Sequence, residues 1–102
     1  MVDLVALQAS AVRVADGYVE KFGITRDAAW HLGKLTEELG ELNAAWLKLN
    51  QRARGAGSRE ALEDEAADLL GFLLLFADWQ GIDLSAAFVR KWGPFDPAGT
   101  SP

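Results

Sequence analysis

The sequence predicts an all-α domain, and three observations support this prediction. Apolar residues recur every three to four positions, as in amphipathic helices, and no segment alternates strictly as a half-buried strand does. The only hairpin-like dipeptide, Asp16-Gly17, falls inside a helical pattern. Glycine and proline occur at a few positions and divide the chain into helical segments. These segments span residues 3–22, 26–50, 59–80 and 84–92.

The first two helices are separated by a short glycine-containing turn. Gly23 follows Lys21 and Phe22 as a helix stop, with the basic side chain in the last turn. Thr25 is then the predicted N-cap of the second helix, because its hydroxyl can accept from the first free backbone N–H groups.

The third and fourth helices follow a polar, glycine-containing loop over residues 50–58. Ser58 is the predicted cap of the third helix, and Gly81 its stop. Asp83 caps the short fourth helix, which ends at Gly93-Pro94. We therefore expect one helical domain over residues 1–92 and a flexible C-terminal tail over residues 93–102.

Composition narrows the function classes. The net charge of −5 argues against a nucleic-acid-binding protein, which needs a basic face. There is no cysteine and one histidine, His31, so thiolate chemistry is excluded and a His-rich zinc site is ruled out. The longest apolar run, Leu69–Ala77, is too short to cross a bilayer, so we expect a cytoplasmic protein without a membrane partner. Four Trp and five Phe in a small domain suggest that some aromatic surface lies in a subunit interface.

Carboxylates cluster on the second helix. At about 100° per residue, Glu37, Glu38 and Glu41 share one arc with Lys34 and Trp30. Residues three and four apart are neighbours on a helix, and like charges at this spacing repel. Taken alone, this arc also fits a solvated acidic face on which Lys34 pairs with a glutamate. The predicted core stripe lies elsewhere and comprises Leu32, Leu35, Leu39, Leu42, Trp46 and Leu49.

A second acidic pair lies on the third helix, where Glu65 and Asp68 share an arc with Phe72, Phe76 and Trp79. A bare carboxylate in an apolar setting is costly unless it is paired or neutralised. Either the pair is a protonated carboxyl group with a raised pKa, or a bound cation compensates the inward charges. We expect the cation, because few basic residues are near enough to compensate several carboxylates.

The chemistry of the candidate ligands indicates which metal ion would bind. Carboxylate oxygens without histidine or cysteine favour Mg²⁺, with Mn²⁺ as an alternative, over Zn²⁺. Mg²⁺ combines one or two carboxylates with substrate phosphates. Four carboxylates on two adjacent helices therefore predict a divalent-metal site at Glu38, Glu41, Glu65 and Asp68.

These residues form a paired motif. Lys34-Leu-Thr-Glu-Glu-Leu-Gly-Glu-Leu42, followed by Glu63-Asp-Glu-Ala-Ala-Asp-Leu-Leu70, resembles the MazG-like all-α nucleoside triphosphate pyrophosphohydrolases. The family signature, ExxE and then ExxD, reads here as Glu38-Leu-Gly-Glu41, a 23-residue gap and Glu65-Ala-Ala-Asp68. The resemblance covers roughly residues 28–92.

The resemblance implies a four-helix, MazG-like bundle that is completed by oligomerisation into a homodimer or homotetramer. It also implies Mg²⁺-dependent hydrolysis of a nucleoside triphosphate between its α- and β-phosphates, giving a monophosphate and pyrophosphate. Cleansing of the nucleotide pool is the expected role.

The resemblance assigns roles to individual residues. The metal ligands would be Glu38, Glu41, Glu65 and Asp68. Lys34 would meet phosphate, as would a basic residue after the last helix, either Arg90 or preferably Lys91. The family's later Asn and Arg positions are missing, because the chain continues into Gly93-Pro94-Phe95 instead.

Four residues in or near the motif carry further expectations. Glu37 or Glu38 could accept the proton of the attacking water, and Glu37 is preferred because it lies outside the ExxE pattern. Trp30 either stacks on the nucleobase or packs against the first helix or a neighbouring subunit. His31 is expected to be a surface or interface histidine rather than a ligand.

Two other functions compete with this prediction. Phosphoribosyl-ATP pyrophosphohydrolase, of histidine biosynthesis, has a segment similar to Glu65-Ala-Ala-Asp-Leu-Leu70. The other alternative is a non-catalytic helical interaction module, in which the carboxylates form a structural metal site or solvated faces.

Overall fold

The structure, a computed structural model, describes residues 3–99 of the chain. In that range the chain forms α1 (Leu4–Phe22), α2 (Ala28–Leu49), α3 (Arg59–Gln80) and α4 (Leu84–Trp92), a 3₁₀ turn at Gly93–Phe95, and no strand. The prediction of an all-α chain with four helices is confirmed. Residues 100–102 lie outside the described range, and the flexibility of the tail stays a prediction.

Side-chain caps set where each helix begins. Asp3, Asp27, Ser58 and Asp83 each accept a hydrogen bond from the backbone N–H three residues later, at 2.8–3.0 Å. The prediction of Thr25 as the cap of α2 is wrong, because the Asp27 carboxylate reaches the N–H of Trp30 and the helix starts only at Ala28. Gly23 and Gly81 end α1 and α3 in the left-handed region, with φ of 62° and 68°, as predicted.

The most extensive helix contact is between α2 and α3, which lie antiparallel and are joined by the loop over residues 50–58. Helix α1 packs on α3 rather than on α2. The Gln8 side-chain amide ties these two helices together by donating to the carbonyl of Leu74 at 3.1 Å. The turn before α2 is fixed to α1 by the ion pair of Arg26 and Asp16, at 2.9 Å.

The core within a single chain is small. The buried apolar residues of the described range are Ala15, Leu74, Leu75 and Ala77, on α1 and α3. The predicted core stripe of α2 is correct for one half, since Leu35, Leu42 and Leu49 are half-buried. For the other three residues of the stripe the prediction is wrong within a single chain, because Leu32, Leu39 and Trp46 are 49%, 56% and 43% exposed. Within residues 3–99, the main helical neighbour of α2 is α3, and this row of the stripe lies on a side that α3 leaves largely exposed.

Within residues 3–99, no single helix has the length and hydropathy needed to cross a bilayer. One bent combination, α3 with Leu84–Phe95 across a 102° break, meets that test by length and composition alone.

Candidate metal centre

Two carboxylate triplets meet where α2 faces α3. Oxygens of Glu37, Glu38 and Glu41 lie within 4.8 Å of one another on α2. Oxygens of Glu38, Glu65 and Asp68 lie within the same limit across the two helices. We call these five residues the carboxylate cluster. All four predicted metal ligands therefore belong to one cluster, and Glu38 is the member that both triplets share.

The members of the cluster differ in burial. Glu38 is only 7% exposed, and its Oε2 atom has no hydrogen-bond partner in the described structure. Glu65 is half-buried and its Oε2 is likewise unpartnered, whereas Glu41 and Asp68 are exposed. The sequence predicted the ExxD pair as the buried half and the ExxE pair as the half closer to ordinary surface acids. The structure corrects this, because the deepest carboxylate lies on α2.

Burial and like charge act together on two carboxyl groups. Desolvation raises the pKa of Glu38 above its ordinary value, and the charges of Glu41, Asp68 and Glu65 raise it further. Desolvation also raises the pKa of Glu65, followed by the charges of Glu41 and Asp68. The ionised form of the cluster is therefore disfavoured without a compensating cation.

Lys34 is the basic residue beside the cluster. Its Nζ lies 3.2 Å from Oε2 of Glu37 and 5.4 Å from the ring centre of Phe72. Trp30, one turn earlier on α2, meets the same phenyl ring edge-on, with the centroids 6.1 Å apart. The lysine thus lies between an acidic and an aromatic surface. Its pairing with Glu37 is the one expected for a solvated acidic face, and its phosphate-binding role stays a prediction.

The aromatic surface belongs to a cavity of about 550 Å³ between α1, α2 and α3. We call it the aromatic cavity, and its walls include Tyr18, Trp30 and Phe72, with Lys34 and Asp68 beside them. Asp68 also belongs to the carboxylate cluster, so the cavity and the cluster are continuous.

A second cavity, of about 280 Å³, lies at the other end of the cluster. It is formed where the loop over residues 50–58 folds back on α2 and α3. Its lining includes Glu41 and Glu65 of the cluster, Lys48 of α2, and Ala56 and Gly57 of the loop. We call it the loop cavity. The carboxylate cluster therefore lies between two cavities of different character.

His31 is buried rather than at the surface, which corrects that expectation. It is 1% exposed, and its Nδ1 lies 2.8 Å from the carbonyl oxygen of Asp27. Its ring contacts Trp30 edge-on at 5.0 Å and Trp79 at 5.3 Å. It belongs to neither carboxylate triplet, so its position is that of a packed histidine behind the site.

The predicted phosphate residues at the end of α4 are not brought to the cluster within one chain. Lys91 lines a separate apolar cavity between α3 and α4, together with Phe88 and Trp92. Neither Arg90 nor Lys91 lines the aromatic cavity or the loop cavity. Their phosphate-binding role stays a prediction.

Sequence reasoning missed Lys48, although a signal was present. Lys48 lies seven residues after Glu41, which is two turns, and so it shares the arc of the carboxylates.

Comparisons with protein-family models, with characterised proteins and with solved structures find no match to this chain.

Proposed function

We propose that this protein is a Mg²⁺-dependent nucleoside triphosphate pyrophosphohydrolase that converts a (d)NTP to the monophosphate and pyrophosphate. One observation carries the proposal most directly. Glu38 is buried, its Oε2 lacks a hydrogen-bond partner in the described residues, and its carboxylate lies within 4.8 Å of acidic oxygens from both helices. A buried charge among like charges is costly, and a bound cation removes that cost.

The donor set fits a hard divalent ion. All the cluster atoms are carboxylate oxygens, and two of them, Oε2 of Glu38 and Oε2 of Glu65, are buried without a partner. Glu38, Glu41, Glu65 and Asp68 would hold Mg²⁺ or Mn²⁺. When bound, the metal would supply charge neutralisation for the incoming triphosphate and activation of the attacking water.

The remaining residues of the site position the substrate and accept a proton. Glu37 belongs only to the α2 triplet and lies at its exposed edge, where it can accept the proton of the attacking water. Lys34 lies between this carboxylate and the aromatic cavity, so its ammonium group can donate to the phosphate nearest the nucleoside.

The aromatic cavity supports a site for the nucleobase. Trp30 and Phe72 form an edge-on pair in its wall, and most of the other lining side chains are apolar. Aromatic surfaces of this kind stack on planar rings. Because Asp68 links the cavity to the cluster, a base held there places its phosphates over the carboxylates.

We also propose that a second copy of the chain covers the open side of α2. Leu32, Leu39 and Trp46 recur at intervals of seven, and this spacing matches a helix–helix seam. Thr36, Asn43 and Asn50 flank them, and Gly33 and Gly40 lie close by, so α2 itself places no ionised side chain on the strip; Arg52 of the following loop lies over the Trp46 ring at one end. A chain of charge −5 repels its copies elsewhere, and an uncharged strip is where two copies meet at least cost.

The function is tested by assaying pyrophosphate release from a panel of canonical and modified nucleotides, with and without Mg²⁺. Glu38→Gln and Asp68→Asn should each lower kcat/KM by about a hundredfold or more, as expected when a metal ligand is lost. Asp64→Asn is the matched control, because Asp64 is an exposed acid of α3 outside both triplets.

Folded Glu38→Gln and Asp68→Asn proteins with wild-type activity would rule out the carboxylate site. Turnover of phosphoribosyl-ATP in preference to every nucleotide of the panel would instead assign the protein to histidine biosynthesis. A wild-type protein that hydrolyses none of these compounds would reject the hydrolase.

A further inference from the structure

The two cavities and the cluster lie along one groove between α2 and α3. On α2, Trp30, Lys34, Glu41 and Lys48 fall within one arc of the helix. On the antiparallel α3, residues at intervals of four and three face them in reverse order, namely Phe72, Asp68, Glu65 and Ala61. The groove therefore begins with aromatic rings, passes the carboxylates and ends at a lysine.

The lysine end of the groove lies in a basic segment. Residues 48–59 contain Lys48, Arg52, Arg54 and Arg59 and no acidic residue, although the chain as a whole carries a charge of −5. Arg52 covers the Trp46 ring at 5.8 Å, and Arg59 lies 3.7 Å from Glu63. Within residues 3–99, Lys48 has no carboxylate within ion-pair distance. Of the four basic residues in this segment, Lys48 is the one that lines the loop cavity.

The loop cavity is built by close packing of the loop on α2. A Cβ atom at Gly57 would overlap the backbone of Lys48 and Leu49, so the loop approaches the helix as nearly as a glycine permits. A Cβ atom at Gly55 would touch the Lys48 stem at 3.8 Å. The loop thus passes close to the stem of Lys48, an exposed residue that lines the loop cavity together with Glu41 and Glu65.

We propose that the loop cavity is the subsite for the terminal diphosphate of the substrate, which leaves as pyrophosphate, and that Lys48 is its principal cation. This inference rests on the proposed function. Because the base has an aromatic cavity at one end of the groove, the phosphate chain runs over the carboxylates toward the other end. Seven residues separate Glu41 from Lys48, or about 10 Å along the axis, so a lysine stem can meet a diphosphate that extends from the cluster.

The Lys48 ammonium group supplies three N–H donors to phosphate oxygens and a positive charge that the cluster lacks on this side. Its role is binding, and it takes no part in proton transfer to the attacking water. Removing it should therefore weaken the hold on the diphosphate while leaving the hold on the nucleoside monophosphate unchanged.

The experiment compares wild-type protein with Lys48→Met, Lys48→Arg and Arg59→Met in buffer that contains Mg²⁺. Arg59→Met is the matched control, because it removes one positive charge from the same segment at a side chain that is 77% exposed and pairs with Glu63. Calorimetry measures the binding of inorganic pyrophosphate and of a nucleoside monophosphate. Turnover of the best nucleotide from the panel gives KM and kcat, and melting curves report the fold of each variant.

In Lys48→Met, we expect KM for the triphosphate and the Kd of pyrophosphate to rise by about tenfold, the loss of one charge-assisted hydrogen bond. The monophosphate should bind as before, and Lys48→Arg should restore part of the loss. Equal pyrophosphate binding by wild type, Lys48→Met and Arg59→Met would overturn the subsite while leaving the hydrolase proposal intact. Wild-type protein that binds pyrophosphate through Lys48 but hydrolyses no nucleotide would overturn the hydrolase while supporting the subsite.

Discussion

Glu38 is the residue on which both carboxylate triplets depend. Its oxygens lie within 4.8 Å of acidic oxygens on α2 and on α3, and its Oε2 is buried without a partner in the described residues. Folding therefore raises the pKa of this carboxyl group, chiefly by desolvation. Between the ordinary value of 4.5 and the raised folded value, the folded chain binds more protons than the unfolded chain. The free energy of unfolding consequently falls as the pH rises through that window.

Glu38→Gln should stabilise the protein when divalent ions are absent. In a chelating buffer above the raised pKa, a neutral amide removes a buried charge and can donate to the unpartnered oxygen of Glu65. The melting temperature should rise by about 4–8 °C for each kcal/mol gained in the free energy of unfolding. The decline of the melting temperature with increasing pH should also become shallower. Thermal melts from pH 4 upward measure both effects.

Addition of Mg²⁺ should reverse this ranking of the two proteins. Wild-type protein gains about 2.7 kcal/mol when the ion is at a hundred times its dissociation constant, whereas Glu38→Gln has lost a shared ligand and gains less. Glu63→Gln, at an exposed glutamate of α3, should leave both the pH dependence and the Mg²⁺ response unchanged. A lower melting temperature of Glu38→Gln in chelator would contradict the buried-charge account.

The residues of the cluster were predictable from the sequence, but their burial was not. The spacing of Glu38, Glu41, Glu65 and Asp68 places them on two helix arcs, and a helical wheel is sufficient to find that. Which carboxylate is deepest depends on how far each side chain lies inside the α2–α3 contact. The wheel placed Asp68 among aromatic residues, and Asp68 does line the aromatic cavity, but its side chain is exposed whereas Glu38 is buried.

At the level of elements, the loop between α2 and α3 approaches α2 most closely at Gly57. A Cβ atom at Gly57 would overlap the backbone of Lys48 and Leu49, and backbone atoms cannot move aside as a flexible side chain can. The positions of Lys48 and of the loop cavity therefore depend on the absence of a side chain at this residue.

Gly57→Ala should lower the free energy of unfolding by about 1–3 kcal/mol, as overpacking does. Denaturant melts measure the change. Gly17→Ala is the matched control, because a Cβ atom there meets nothing within 4 Å and the residue lies in the interior of α1. This control should raise the free energy of unfolding by about 0.5–1 kcal/mol. Equal effects of the two substitutions would show that the loop does not press on α2.

The helix bounds were largely predictable because residues that cap or stop helices stand at most of the helix ends. Gly23, Ser58, Gly81 and Asp83 mark helix ends in the sequence and in the structure. The start of α2 was misplaced because Thr25 and Asp27 are both competent caps. Only the path of the preceding turn decides between them, and the ion pair of Arg26 with Asp16 helps to fix that path.

For the whole molecule, one chain leaves more surface uncovered than its mass predicts. It exposes 7604 Å², whereas a monomeric protein of 11.1 kDa exposes about 5,700 Å². Its radius of gyration is 16.1 Å, against about 13 Å for a compact domain of this length. A stable dimer covers about 800 Å² per partner, so a second copy fits within this excess.

Leu39→Glu should separate the copies. Leu39 is 56% exposed at the centre of the uncharged strip of α2, so a glutamate there places like charges opposite one another in a self-complementary contact. Sedimentation at micromolar concentration should find wild type as an oligomer and the variant as a monomer. Val5→Glu, at a 71% exposed residue of α1, should leave the oligomer intact. Wild-type protein that sediments as a monomer would refute the contact.

The antiparallel pair of α2 and α3 carries every member of the carboxylate cluster within residues 28–80. Helix α1 supplies Tyr18 and much of the apolar wall of the aromatic cavity, but it contributes no carboxylate to either triplet. In the proposed function, every carboxylate for bond cleavage therefore comes from α2 and α3, whereas α1 contributes only to the wall around the base. Such a division is modular: under the proposed function, substitutions of Tyr18 and its neighbours on α1 would change which base is accepted while every carboxylate stays in place.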